Sequence, residues 1–396
     1  MSFKLRDICT EKLVVNMGPA HPLTHGTLRI QLELDGERIV HAQCEIGYLH
    51  RCFEKEAEYR TWTQVIPYSE RLNYVSPVSN SIGWCHTIET LMDVDVPPRA
   101  QAIRVILCEL NRIMDHLVCV GTSAVDVGAL TNFWYFFNFR ERIYSLLEEV
   151  CGARLMVNYP RIGGVVRDLP EGWTDRCMAL VDALPEAVGD VRGLLEHNRI
   201  LIDRLKGVGT ISADRAIAYG FTGPCLRASG VAHDLRKAEP YFGYETYDFD
   251  VPTRPEGDSF ARLFLRFDEM EQSVRIIRQA IDRLPDGPFL VDDPRVALPP
   301  KEKVYGTIEG LVNHFKLVFE GIRPPVGEIY VATEVPNGEL GFYVISKGEG
   351  KAFRMHCRAP CFPIFSAFPE LVQDHMVADT TAVLGGLNIV AGELER

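Results

Sequence analysis

Two histidines, His21 and His25, stand four residues apart in GPAHPLTHGTLRI (18–30), with Pro22 between them and a glycine at Gly18 and at Gly26. That spacing would place both imidazoles on one helical face, but Pro22 and Gly26 oppose a sustained helix, so a rigid loop is expected. Imidazole titrates near physiological pH, with a reference pKa of about 6.5, which makes His25 the candidate for giving and regaining a proton, with His21 the weaker one. Tyr74, in ERLNYVS, carries a phenol that stays protonated at neutral pH and can donate a hydrogen bond to a ligand carbonyl. Asp126 is the candidate partner for the far nitrogen of the imidazole, where a carboxylate fixes the tautomer and favours imidazolium. Each residue also has an ordinary reading: an exposed loop histidine, a packed tyrosine, a carboxylate capping the turn at Val127-Gly128. Residue types alone leave two classes open, a redox or hydrolytic enzyme subunit and a large scaffold whose histidine loop serves binding.

Bringing such distant positions together requires ordered elements. LRIQLELDGERIVHAQCEIG alternates apolar and polar residues on either side of Asp35-Gly36, the pattern of a hairpin whose first strand follows directly from the histidine loop. From Phe53 the period becomes helical. SNSIGWCHTIETLM reads as one helix, and Val96 to Val120 as a longer one with Ile103, Leu107, Leu110, Met114 and Leu117 on its apolar face and Pro97-Pro98 at its entrance. A further helix is expected over NFWYFFNFRERIYSLLEEVCG, capped by Asn132 and stopped by Gly152. Helices are also expected over Trp173 to Leu205, Ser259 to Leu284 and Tyr305 to Glu320. Strands are expected near Glu328–Glu334, Gly341–Ser346 and Ala352–Cys357. EPYFGYETYDFDVPTRPEGD is irregular, aromatic and acidic, slightly favouring an interaction loop over an ordered surface crossing. The fold class is α+β: an N-terminal β-hairpin region (1–52), a central helical bundle (53–298) and a C-terminal mixed lobe (299–396).

With 396 residues, 46% of them hydrophobic, the chain can bury substantial cores. A formal charge of −12 argues against nucleic-acid partners, because phosphate recognition needs basic surface. No apolar signal-peptide core and no run of 18 uncharged apolar residues occurs, so work at a membrane would depend on partners. The 11 cysteines are scattered without a C-x-x-C pair, and the spacing of Cys357 and Cys361 in CRAPC is wrong for the usual metal loops. No metal site is expected. Phosphate-loop and dinucleotide-binding glycine patterns are absent too.

Several longer stretches carry a family resemblance: GPAHPLTHGTLRIQLELDGE, IGYLHRCFEK, YRTWTQVIPYSERLNYVSPVSN, VPPRAQAIRVILCELNRIMDHL, DVGALT, YGFTGPCLRASGVAHDLRKAEPY and HFKLVFEGIRPPVGE. In register from Leu13 to Arg396, they resemble the 49-kDa-type, or D-type, subunit of proton-pumping NADH:quinone oxidoreductase, respiratory complex I. That family is itself similar to the large subunit of nickel-iron hydrogenases, whose metal is held by two C-x-x-C pairs. Here only Cys52 remains of the first pair and NIVAGELER carries no cysteine, so nickel-iron chemistry is not carried over and the emptied cavity would admit a quinone headgroup instead.

The resemblance implies that His25 and Tyr74 are the quinone-headgroup pair and that Asp126 hydrogen-bonds the histidine. Arg51 and Arg71 match arginines beside the terminal [4Fe-4S] cluster, which the resemblance places in the adjacent B-type subunit. It implies that this chain binds no cofactor of its own, that quinone (ubiquinone or menaquinone) is the substrate, and that FMN and NADH bind in distant subunits. The expected partners are B-type and C-type peripheral-arm subunits, other hydrophilic complex I subunits and the membrane subunit that completes the quinone channel. The expected location is peripheral, on the cytoplasmic side of the bacterial inner membrane. A D-type subunit of a ferredoxin-fed or hydrogenase-related complex is the nearest alternative, and a noncatalytic assembly subunit is the second. The sequence departs from the family pattern at Glu45, at Asn73, where an acid is usual, and at Met156, where a histidine is usual. Its ending retains Glu393 in altered surroundings.

Overall fold

The computed structural model describes residues 12–24 and 26–396, apart from the side chain of Leu23; His25 lies outside the described residues. Alternation produces the N-terminal sheet. Ile30, Leu32 and Leu34 point inward, and the chain turns at Gly36, whose φ of 62° suits glycine. Strands β2 (Arg29–Asp35) and β3 (Arg38–Glu45) pair antiparallel, and β1 (Leu13–Met17), which the hydrophobic pattern does not announce, pairs along the other edge of β2 with Met17 opposite Ile30. The histidine loop is thus tied to sheet at both ends.

The central helix, Pro98–Asp126, begins at the expected proline and runs past Val120. Its expected apolar face is buried, and so are Arg104, Glu109, Arg112, Asp115 and His116, because neighbours cover it on every side. Against it pack Leu130–Cys151 and Ser259–Asp282, and Trp173–Glu196 packs in turn on those two. Gly128, at φ 97°, reverses the chain so that the first of these starts at Leu130. Asn132 therefore falls inside the helix and does not cap it, whereas Gly152 does end it in the left-handed conformation. The helix expected to run to Leu205 breaks at Asn198, whose side chain accepts from Ile200 N and Leu201 N and starts a second helix, Arg199–Leu205. Likewise Thr307 caps Ile308–Phe319 and separates it from Lys301–Gly306. The aromatic segment at 240–249 is an ordered crossing: Tyr241, Phe242, Tyr244, Tyr247 and Phe249 are buried in the main core, which corrects the preference for an interaction loop.

A two-residue pairing of β4 (Pro160–Arg161) with β5 (Gly164–Val165) follows the first helices. The C-terminal sheet joins β6 (Gly327–Val335), β7 (Gly338–Ser346) and β8 (Arg354–Arg358), all antiparallel. A second hydrophobic core joins the segment around Trp62 and Trp84 to this sheet. The indoles stack at 6.0 Å, Trp84 meets Phe342 edge-on at 5.5 Å, and Trp62 Nε1 donates to Glu349 O at 3.0 Å. The outcome is α+β, with a small sheet at each end of the chain and the helical core between. Two short helices close the chain onto that core, Asp379–Leu387 and the C-terminal helix Ala391–Glu395.

Candidate functional site

The histidine loop is held by one buried residue. Thr24 Oγ1 lies 2.8 Å from both His21 O and Gly26 O, its one proton directed between these two carbonyls, across a single 3-10 turn at Pro22–Thr24, and His21 and Gly26 bridge each other. Asp126 ends the central helix. It lines a cleft of about 210 Å³ with Pro22, Thr122, Leu130 and Phe133, so the helix end and the loop face one another. The imidazole of His25 falls outside the described residues.

Tyr74 lies on another segment and is 36% exposed. Burial, with a smaller contribution from the Cys361 thiol, raises its phenol above the usual tyrosine value, while Arg51 opposes the shift. It is therefore a protonated donor at neutral pH. Arg51 reaches across the site: Nη2 donates to Arg71 O at 3.1 Å and to Gly392 O at 2.7 Å, and Nε is buried without a partner. Burial lowers the Arg51 pKa, opposed by Glu395 and Tyr74. Arg71 is exposed and donates to Pro67 O. Cys52 is exposed and lines a cleft of about 410 Å³ with His50, Glu54, Arg354, Phe362 and Arg396. Tyr74 lines neither cleft.

What joins these segments is the C-terminal helix, which sequence reasoning registered only as a retained glutamate. A side chain at Gly26 would meet Ala391 Cβ at 2.6 Å, so the histidine loop rests directly on this helix. A side chain at Gly392 would stand 2.8 Å from both Arg51 Nη1 and Leu72 O, so the other face admits only glycine. Next to it, Glu393 is buried: Asn73 Nδ2 donates to its Oε2 at 3.0 Å, Asn337 Nδ2 to the same oxygen at 3.3 Å and Cys361 N to Oε1 at 3.3 Å. Asp115, equally buried, accepts from Asn388 Nδ2 at 2.7 Å and from Asn73 Nδ2 at 3.4 Å. Two carboxyl groups thus share a cage of three carboxamides, one of them from Asn73, the residue before Tyr74. Burial pushes Glu393 up to about 7. The sequence signal that could have found it is the pair of small residues Ala391-Gly392 directly before Glu393.

Residues 126–396 match the family described as "Respiratory-chain NADH dehydrogenase, 49 Kd subunit". The chain belongs to this family. It is 51% identical over 98% of its length to the C/D-type NADH-quinone oxidoreductase subunit of Bdellovibrio bacteriovorus, covering 70% of that protein. It is 49% identical to the D-type NADH-quinone oxidoreductase subunit of Myxococcus xanthus, with 98% of this chain and 93% of the relative aligned. With the D-type subunit of Leptospira biflexa it shares 46% identity, over 99% and 97%.

As a D-type subunit, the chain is part of a multisubunit NADH-quinone oxidoreductase and has other subunits of that complex as partners. Among the described residues, no helix is long and apolar enough to cross a membrane, and no group of three or more His, Cys, Asp or Glu is placed to hold a metal ion. Cys357 and Cys361 are buried, and burial raises both thiols far above their usual value, which keeps them neutral.

Proposed function

We propose that this D-type subunit supplies the donors that receive a quinone headgroup, His25 on the loop and Tyr74 opposite, with Asp126 orienting the histidine. The observation that carries this reading is the phenol of Tyr74: partly open to solvent, kept protonated by burial, and set between Arg51 and Cys361 in a family whose named members act on quinone. A quinone has carbonyl oxygens across its ring, and two electrons place negative charge on both. Hydrogen bonds from a phenol and an imidazole stabilise that charge, and transfer of one proton from each yields the quinol.

In this reading electrons come singly from a [4Fe-4S] cluster in the neighbouring B-type subunit, and this chain binds no cofactor itself. FMN and NADH belong to distant subunits. Arg51 and Arg71, both on the face near Gly392, would stand beside that cluster, where fixed positive charge favours its reduced form. A C-type neighbour is supported by the joined C/D name of the Bdellovibrio relative. A membrane subunit would complete the quinone channel. The protein would sit peripherally on the cytoplasmic side of the inner membrane, and charge created by quinone reduction would bias ionisable groups in the membrane partners.

The test is Tyr74→Phe in the assembled complex. Loss of a single donor aimed at developing charge costs about 100-fold, so quinone reduction should fall by that order while NADH still reduces the terminal cluster. Parental quinone turnover in an assembled variant would overturn the reading and favour a noncatalytic assembly role. Co-purification of flavin- and NADH-binding subunits separates this complex from a ferredoxin-fed relative.

A further inference from the structure

The cage that includes Asn73, the residue before Tyr74, has a chemistry of its own. Removing a carboxylate from water is costly unless it is paired with a cation, and among the described residues no lysine, arginine or histidine pairs with Glu393. Its oxygens are met by carboxamide and backbone N–H groups, with the Asp115 carboxyl as its acidic neighbour. We propose that Glu393 is the proton store for the Tyr74 end of the site, holding a carboxylic-acid proton in the asparagine cage and passing it to the Tyr74 phenolate left by quinone reduction. This rests on the quinone reading above.

Geometry gives the connection. Asn73, which donates to both Glu393 and Asp115, is the residue before Tyr74, so the phenol and the acid are fixed by one stretch of backbone. Cys361 interacts with both ends: its thiol faces Glu393, its backbone N–H donates to Glu393 Oε1, and its field reaches the Tyr74 phenol. The charged and titratable groups facing Glu393 are Asp115 from the central helix and Cys361 and Cys357 from the C-terminal lobe, while Glu395 on its own helix turns to Leu49 N. Arg51 reaches only as far as Gly392 O. Burial, reinforced by Asp115, places Glu393 at about 7, so the acid and its carboxylate are both populated at neutral pH.

The step balances. Two electrons from the partner-held donor and two protons, one from Tyr74 and one from His25, convert quinone to quinol. The Tyr74 O–H bond breaks and a quinol O–H forms. The Glu393 O–H bond then breaks, the phenol O–H is restored, and Glu393 is left as a carboxylate until a solvent proton reloads it.

The experiment follows quinone reduction by the complete complex at saturating NADH across pH, for the parent and for Glu393→Gln, Asp115→Asn and Tyr74→Phe. The parental rate should fall as pH rises through about 7, where the store empties. Glu393→Gln should lose at least about 10-fold at low pH and show a flat profile, with cluster reduction unchanged. Asp115→Asn removes the charge that helps hold the proton on Glu393, so the fall should move to lower pH. A purely structural role would not shift that midpoint. If Glu393→Gln does not assemble, Asp115→Asn decides, and an unmoved midpoint overturns the proposal. Parental behaviour of Glu393→Gln also overturns it. Should Tyr74→Phe be impaired while Glu393→Gln is parental, only the store fails; if both are parental, the quinone reading fails with it.

Discussion

Glu70 lies four residues before Tyr74, fully buried, with Oε1 accepting from Asn158 N at 2.6 Å and Oε2 without a partner. Burial raises it to about 7, opposed by the Asn158 N–H and by Arg71. The unfolded chain titrates near the reference value of about 4.3, so the native state binds this proton more tightly. Its contribution to stability is complete below about 4.3 and is lost as pH rises through about 7, on the order of 3 kcal/mol in all. Glu70→Gln keeps an acceptor for Asn158 and removes the charge. Its stability relative to the parent should therefore improve as pH rises from about 4.3 to about 7 and then level off, as read by thermal unfolding of the protein within the complex. A difference that does not vary with pH would show that Glu70 is not the titrating group. At this scale Tyr74 and Asp126 could be singled out as candidates because a phenol and a carboxylate carry their chemistry in the side chain. The asparagine cage could not, since Asn73, Asn337 and Asn388 are ordinary amides far apart in the chain and acquire meaning only when they meet Asp115 and Glu393.

At the scale of elements, the decisive piece is five residues long. The C-terminal helix separates the histidine loop from the Arg51–Tyr74 segment while touching both, and it can do so because Gly392 leaves room for Leu72 O and the Arg51 guanidinium. Gly392→Ala should cost about 1–3 kcal/mol, the ordinary penalty for overpacking, and should expose the C terminus to proteolysis in an otherwise folded protein. Gly189→Ala supplies the opposite sign. That glycine sits inside the helix Trp173–Glu196 with open space around it, so alanine should stabilise by about 0.5–1 kcal/mol. Equal effects of the two changes on melting would remove the packing argument. Long helices and the Asp35-Gly36 hairpin were readable from period and turn chemistry. The breaks at Asn198 and Thr307 were not, because apolar spacing continued across them and only the side-chain caps reveal the new starts. Asn132 erred the other way, having a capping side chain at a position that Gly128 had already placed inside the helix.

Across the whole molecule, the core is held by charge as well as by apolar contact. Glu269 on Ser259–Asp282 accepts from His116 Nε2 at 2.8 Å and pairs with Arg227 at 2.7 Å. Arg227 reaches Glu334 of β6 at 2.8 Å, and Arg236 joins Asp234 at 2.7 Å to Glu109 at 3.1 Å. All are at most 1% exposed as side chains, and together they tie the central helix, its largest neighbour, the 227–236 segment and the C-terminal sheet. Periodicity places such residues outside, since an arginine off the apolar stripe normally faces water. Only the full set of partners shows why Arg227, Arg236 and Glu109 are inside. Removing one member of a buried pair leaves the other uncompensated, so Glu269→Gln should cost about 3–5 kcal/mol, with Arg227 left short of charge and His116 losing its carboxylate. Asp203→Asn, which breaks the exposed Arg199–Asp203 pair, should leave the melting temperature unchanged, because solvent already screens that contact. Thermal unfolding of the two variants in the assembled complex decides the matter: if Glu269→Gln melts with the parent, the ionic core is dispensable and apolar packing alone positions the site.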